Sequence, residues 1–326
     1  MNRRDLGRHA LSAAAAAASA TWALPSPAAD SAPVRFVVPF AAGGGNDIFA
    51  RLFAPGLAAR LACPVVVENR SGASGNIGGD FVAHAPGDGK AALYASSAIA
   101  INPAVLPSVP FDAQRDLVPV SLAVSQPLVL VVRNELGINS LPRLLEQARA
   151  GKLSLAYGNA SPGSISNLAA ELLFRRAKVE ALSVPYRGAG QMMTALLGGE
   201  VQVALLVYPV AKAHIDRGTL VAVATTGQKR MAQLPHIPTL VEQGFADLVA
   251  DQWHGIFMPG KTPPALAEEF QRAFAATAHD PALRPRLEAD GAEIIASTPQ
   301  EFAAYFARDL ARWKKIAAET GIRVAA

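Results

Sequence analysis

Val34-Arg35-Phe36-Val37-Val38-Pro39-Phe40-Ala41-Ala42-Gly43-Gly44-Gly45-Asn46-Asp47 is the stretch on which the fold turns. The apolar, β-branched run at its start predicts a buried strand. Three glycines follow, then Asn46-Asp47, two good helix N-caps, and then helical spacing. A strand that delivers a glycine loop onto a helix N-terminus makes an anion cradle. Free N–H groups face outward, the helix dipole favours negative charge, and glycine permits close approach. The same stretch equally fits an ordinary strand-to-helix turn of an α/β sheet, and alone it leaves both readings open.

From Asp47 to Leu61, Phe49, Phe53 and Leu57 recur at four-residue spacing, as an amphipathic helix requires. Pro55-Gly56 inside it predicts a kink or break. Pro64–Asn69 reads as a second strand, Ser71–Asn76 as another glycine turn, Ile77–His84 as a helix and Ala91–Ser96 as a third strand. This alternation predicts a parallel, doubly wound sheet. Asn102-Pro103 and the Pro-rich stretch to Pro119 read as extended loop. Strands at 118–124 and 128–132 then lead into a second α/β unit. There a strand ending at Tyr157 meets the loop Gly158–Ser166 and a helix Asn167–Arg176, repeating the opening logic. Trp253–Met258 reads as a strand, Thr262 as the cap of a helix with Pro263 at N1, and Thr298-Pro299-Gln300-Glu301 as a capping box for the last helix.

Composition bounds the function. The chain has 326 residues, enough for two cores, with 51% hydrophobic and 17% charged residues. Residues 1–29 carry three arginines against one aspartate, a net +2 of the total +4. The remainder is too weakly basic for a nucleic-acid partner. Arg3-Arg4, the alanine-rich segment Ala10–Ala23 and the small residues before Ala29 read as an export signal, with a twin-arginine flavour in Asn2-Arg3-Arg4-Asp5-Leu6. Cys63 is the only cysteine, which excludes a disulfide framework and a cysteine metal site.

The central functional clue is a pair of polar strand-to-helix loops, one in each α/β unit. Ligands of such sheets sit at the carboxyl ends of the strands. Two such ends facing across a cleft would hold a small anion through backbone N–H and hydroxyl groups. No dinucleotide fingerprint, phosphate loop, nucleophile elbow or zinc-helix motif is present. The histidines at 84, 214, 236, 254 and 279 lack metal-ligand spacing, so no metal or cofactor is expected. Trp253-His254 is expected on a strand facing the cleft, and Tyr186-Arg187 at its rim. Asp47 is placed either to accept from a ligand amine or to cap its own helix.

The run Val34–Asp47 resembles the P-F-x-x-G-G-x-x-D start of the Bug family, extracytoplasmic solute receptors of the tripartite tricarboxylate transporter class. Pro64–Gly78, Asp88-Gly89, Ala100–Pro103, Val184–Gly188, Leu196–Gly199, Leu234–Thr239 and Pro259–Pro263 follow in the family's order. The resemblance implies a type II periplasmic-binding-protein fold of two doubly wound α/β domains around a central cleft. Residues 30–124 and 230–326 would form one domain and 125–229 the other, after removal of a signal peptide at 1–29 and delivery to the periplasm. It further implies a binding protein rather than an enzyme. One ligand carboxylate would sit at the loop holding Phe40, Gly43, Gly44, Gly45, Asn46 and Asp47. Polar contacts would come from Ser96 and Ser97, and from Asn159, Ser161, Ser164 and Ser166.

This chain also departs from the family pattern. Leu206 and Val207 stand where many relatives carry an acidic or hydroxyl residue. His254 stands where an aromatic or aliphatic residue is common. With Tyr186 and Trp253 these would line the rest of the cleft, and such an apolar wall suits an aromatic or short aliphatic monocarboxylate. The expected partners are a small organic carboxylate and membrane transporter subunits or a sensor kinase, the chain itself being a monomer.

Overall fold

The computed structural model describes residues 32–159, 163–186 and 188–323. Residues 1–29, expected to be an export signal, and Ser161 and Arg187 lie outside the described residues.

In chain order the elements are β1 (Val34–Val38), α1 (Gly45–Leu61), β2 (Val65–Asn69), α2 (Asn76–Ala83), β3 (Ala91–Ser96), α3 (Ala98–Val105) and β4 (Leu117–Gln126). A second group follows: β5 (Leu128–Arg133), α4 (Leu141–Arg149), β6 (Ala156–Asn159), α5 (Ile165–Arg176), β7 (Leu182–Pro185), α6 (Ala189–Gly198), β8 (Val203–Val207), α7 (Tyr208–Asp216) and β9 (Leu220–Thr225). The chain closes with β10 (Gln252–Pro259), α8 (Pro264–Ala278), α9 (Arg284–Ala289), β11 (Glu293–Ile294) and α10 (Pro299–Thr320).

The strands form two sheets, ordered β11-β4-β10-β3-β1-β2 and β7-β6-β8-β5-β9. In the first sheet Val34, Phe36 and Val38 of β1 pack against Phe49, Phe53 and Leu57 of α1 and Phe270 and Phe274 of α8. Val37 joins the opposite face, where Phe302, Phe306 and Trp313 of α10 are buried. In the second sheet α4 and α5 cover one face, and Met192, Leu196 and Ala211 of α6 and α7 cover the other. Each fully buried phenylalanine or leucine stabilises this arrangement by roughly 1.5–3 kcal/mol. Helices therefore clothe both faces of both sheets, the α/β two-lobed architecture expected from the sequence. Among the described residues no helix is long and apolar enough to cross a membrane.

Four local expectations are corrected. The sheets are mixed rather than parallel. β1 runs parallel to β2 and β3, but β10 is antiparallel to both of its neighbours, β3 and β4. The cause is the route of the chain. It leaves the first sheet at Gln126 and re-enters at Gln252, which pairs with Gln126, so β10 must run backwards along β4. Helix α1 passes through Pro55 without a break. Pro55 and Arg51 lie on its exposed side, so the Arg51 carbonyl freed by proline faces water. Asn102-Pro103 belongs to α3 rather than to a loop, because Ile99, Ala100, Ile101 and Val105 are buried in the core and packing overrides propensity. The cap of α8 is Pro263, with Pro264 at its first position, and the Thr262 hydroxyl is enclosed without a partner. The capping box at Thr298 and Glu301 is present, with both reciprocal bonds made.

Candidate functional site

The carboxyl end of β1 opens into an exposed loop, Ala41 to Gly45, directly before α1. Gly43 has φ 81°, a left-handed conformation that glycine adopts without strain, and a Cβ there would meet nothing within 4 Å. Gly44 is the N-cap, and its side carries no capping side chain. The cap is thus two positions earlier than Asn46, the first of the two caps read from the sequence. Gly45, Asn46 and Asp47 occupy the first turn of α1, where N–H groups have no acceptor within the helix. Asn46 is buried, and its Nδ2 is an enclosed donor without a partner. A buried donor of this kind favours an acceptor oxygen.

Asp47 does not present its carboxylate to this opening. Oδ2 accepts from the Gly43 N–H at 2.9 Å and from Arg51 Nε at 3.0 Å, and Oδ1 accepts from Asn69 Nδ2 at 2.9 Å. Burial would push this carboxyl up, but hydrogen bonds from Arg51, Gly43 and Asn69 outweigh it and hold the group below the usual carboxylate range. Asp47 is therefore not the cap of α1, which is Gly44; its contacts tie the loop at Gly43 to Arg51 and Asn69.

Phe40 and Ser96 are brought together. They line one recess with Ser74, Asn76, Ile99 and Asn102, between the β1 loop and the end of β3. Asn102 Nδ2 donates to Ser74 O at 3.0 Å and to Asn76 Oδ1 at 2.8 Å, while its own Oδ1 is buried without a partner. Ser97 is fully enclosed beneath β10, its N–H donating to Trp253 O at 3.0 Å.

A second polar group sits at the end of β6. Asn159 Nδ2 donates to Ser183 Oγ at 2.9 Å, and its Oδ1 is buried without a partner. Ser164 caps α5 by accepting from the Asn167 N–H, and its Oγ lies 3.1 Å from Ser166 Oγ. Behind them Tyr157 donates to Glu171 at 2.7 Å, which anchors α5 to β6. Tyr186 is half-buried, and its hydroxyl donates to Glu200 at 3.4 Å.

Three expected wall residues are instead in the core. Trp253 and His254 point to opposite faces of β10, as strand alternation demands, and helices cover both faces. The Trp253 indole donates to Asp309 Oδ2 at 2.9 Å and meets Phe302, Tyr305 and Phe306 edge-on. His254 lies under α1, edge-on to Phe49 and Tyr94, with Nδ1 3.3 Å from the Tyr94 hydroxyl. Burial lowers its pKa to about 3, so the ring is neutral. Leu206 is 2% exposed and packs in the cluster beneath α6 and α7. Only Val207 of that pair keeps partial exposure. The apolar wall inferred from Leu206 and His254 is therefore absent, and with it the ground for a monocarboxylate.

Asn69, Asn76 and Asn102 lie within the motifs quoted above, and their place at the site emerges only from the fold. Their signal is an asparagine at a strand end or inside a helix, where only the cross-element partner reveals its purpose. Among the described residues no three His, Cys, Asp or Glu side chains gather to hold a metal.

Comparison with known proteins gives a consistent result. The profile of the "Tripartite tricarboxylate transporter family receptor" matches residues 49–322. Protein BugT of Bordetella pertussis is 34% identical over 294 residues, 90% of each chain. Two solved structures superpose closely. One is an R. palustris protein, Rpa4515, solved with adipate, at 31% identity and TM-score 0.83, covering 90% of this chain and 99% of that one. The other is MatC of Rhodopseudomonas palustris with bound malate, at 27% identity and TM-score 0.77, covering 87% of this chain and 98% of that one.

Proposed function

The chain belongs to the tripartite tricarboxylate transporter family of receptors, and on that premise we propose that it captures a small organic carboxylate for uptake. The observation that carries this reading is the exposed Ala41–Gly45 backbone opening onto the first turn of α1, with the unpaired Asn46 Nδ2 enclosed beside it. Such a site takes a carboxylate by N–H groups and helix dipole, without a basic side chain. Nearby Arg51 is already committed to Asp47 and Asn69. The adipate and malate carried by the two solved relatives support an acid of this class.

In this reading Phe40, Gly44, Gly45, Asn46 and Ser96 hold one end of the ligand. Asn159, Ser161, Ser164 and Ser166, with Tyr186 and Val207 at the edge, close on it from the other lobe, as the lobes 30–124 plus 230–326 and 125–229 approach. Asn159 Oδ1, a buried acceptor, suits a ligand hydroxyl or a bridging water. The protein acts in the periplasm as a monomer after loss of residues 1–29, and delivers its ligand to membrane transporter subunits. A thermal-shift screen of acetate, benzoate, malate, adipate and citrate tests the reading. Stabilisation by at least one acid, and none by the matching amides, is the expected result. Stabilisation by none of them would defeat it.

A further inference from the structure

The exposed loop needs something to hold it open, and glycine supplies none of that rigidity. Its entry at Phe40 and its middle at Gly43 are gripped by side chains from different elements. Asn69, the last residue of β2, donates through Nδ2 to Phe40 O at 3.1 Å. Asp47 Oδ2 accepts from the Gly43 N–H at 2.9 Å. The two grips are themselves joined, since Asn69 Nδ2 also donates to Asp47 Oδ1 at 2.9 Å. Arg51 closes the ring, donating to Asp47 Oδ2 at 3.0 Å and to Asn69 Oδ1 at 3.0 Å. The register puts Asn69 opposite Val38, the last residue of β1, so the grip comes across the sheet from the neighbouring strand.

The sign of the charge sharpens the point. A carboxylate in the first turn of α1 competes with an incoming anion for the same positive helix end. Placed there only as a charge, Asp47 would weaken the site. Its bond to Gly43 gives it a different use: it fixes the turn from which the remaining N–H groups point outward.

We propose that Asn69, acting through Asp47 and the Phe40 carbonyl, is a positioning residue of the carboxylate-anchoring loop. It does not touch the ligand. It sets the loop before the ligand arrives, so that binding does not have to order it. This rests on the reading of the loop as the anchor, and the experiment separates the two.

The ligand-free protein and its Asn69→Leu and Asp47→Asn variants are compared by amide hydrogen exchange at Gly43 and by thermal midpoint. The tightest acid among acetate, benzoate, malate, adipate and citrate is then titrated calorimetrically. In Asn69→Leu, Gly43 exchange speeds about tenfold and affinity falls about tenfold, the scale of one hydrogen bond to a charged group. A purely structural asparagine would instead shift exchange throughout the core together with the midpoint. Asp47→Asn weakens binding although it removes a negative charge beside an anion. It also serves as the second variant should Asn69→Leu not fold. Unchanged Gly43 exchange in Asn69→Leu, or tighter binding by Asp47→Asn, overturns the proposal. If no acid binds the parent protein, the anchor reading fails, and Gly43 exchange still decides whether Asn69 holds the loop.

Discussion

Thr226 and Leu128 hydrogen-bond to one another in both directions. The Leu128 N–H donates to Thr226 Oγ1 at 2.8 Å, and the Thr226 N–H donates to Leu128 O at 2.9 Å. Thr226 Oγ1 also donates to Ala250 O at 2.8 Å, and the Ala250 N–H returns a bond to Thr226 O at 3.1 Å. Leu128 follows the first passage of chain between the sheets and Ala250 precedes the second. One fully buried threonine thus stitches both passages together.

Thr226→Val keeps the shape and deletes the hydroxyl. It leaves the Leu128 N–H and the Ala250 carbonyl enclosed and unpaired, which costs roughly 1–3 kcal/mol. Urea denaturation of the variant against the parent measures the loss. A change below about 0.5 kcal/mol would fall within the range of ordinary surface substitutions and contradict the brace.

Asp251 lies one residue beyond that brace, with Oδ1 enclosed and unpaired. Burial and the Glu293 charge raise its pKa, Arg312 and a hydrogen bond from Ser125 oppose them, and the result is about 7. A raised folded-state pKa contributes stability that is complete below the ordinary value of 3.8 and lost as pH rises through about 7. Asp251→Asn cannot ionise. Its stability relative to the parent should therefore climb by at least about 1 kcal/mol between acid and mildly alkaline pH. Parallel stability profiles for the two proteins across that range would contradict the assignment.

His254 moves the other way. Desolvation depresses its pKa to about 3, so it contributes stability above the ordinary value of 6.5 that is lost as pH falls towards 3. Ring carbon and proton shifts in NMR should show a neutral imidazole at mildly acid pH. A His254 titration midpoint near its ordinary value would mean that the ring is not sealed beneath α1.

Gly44 has φ −76°, which any residue adopts, and a Cβ there would stand 3.4 Å from Ala41 O, an ordinary contact. Gly44→Phe should fold with a near-parental thermal midpoint and weaken the bound acid by about tenfold or more, because the ring covers the N–H groups that hold it. Calorimetric titration of both proteins with the same acid checks this. Equal affinity would move the anchor elsewhere.

What the sequence discloses follows from the range of the forces involved. The β1-loop-α1 unit is local: period, glycines and helix spacing all lie within a few residues, so the anion cradle is readable. The backward direction of β10 is not local, because it depends on Gln252 finding Gln126 across a long excursion. Trp253-His254 reads as a strand segment, and nothing local in the sequence says what covers its two faces. Here α10 and α1 cover both faces, and neither residue is left out. Leu206 misled in the same manner. Asn69 escaped a role because a strand-end asparagine gains one only from Phe40 and Asp47, which lie 29 and 22 positions away.

Native mass spectrometry of freshly purified protein, beside its Gly44→Phe variant, tests the central claim most directly. The parent should carry a small organic acid, identified by mass after release, and the variant should carry none while remaining folded. A bound amine or neutral solute in the parent, or the same acid retained at equal occupancy in the variant, would contradict a carboxylate held on the backbone before α1.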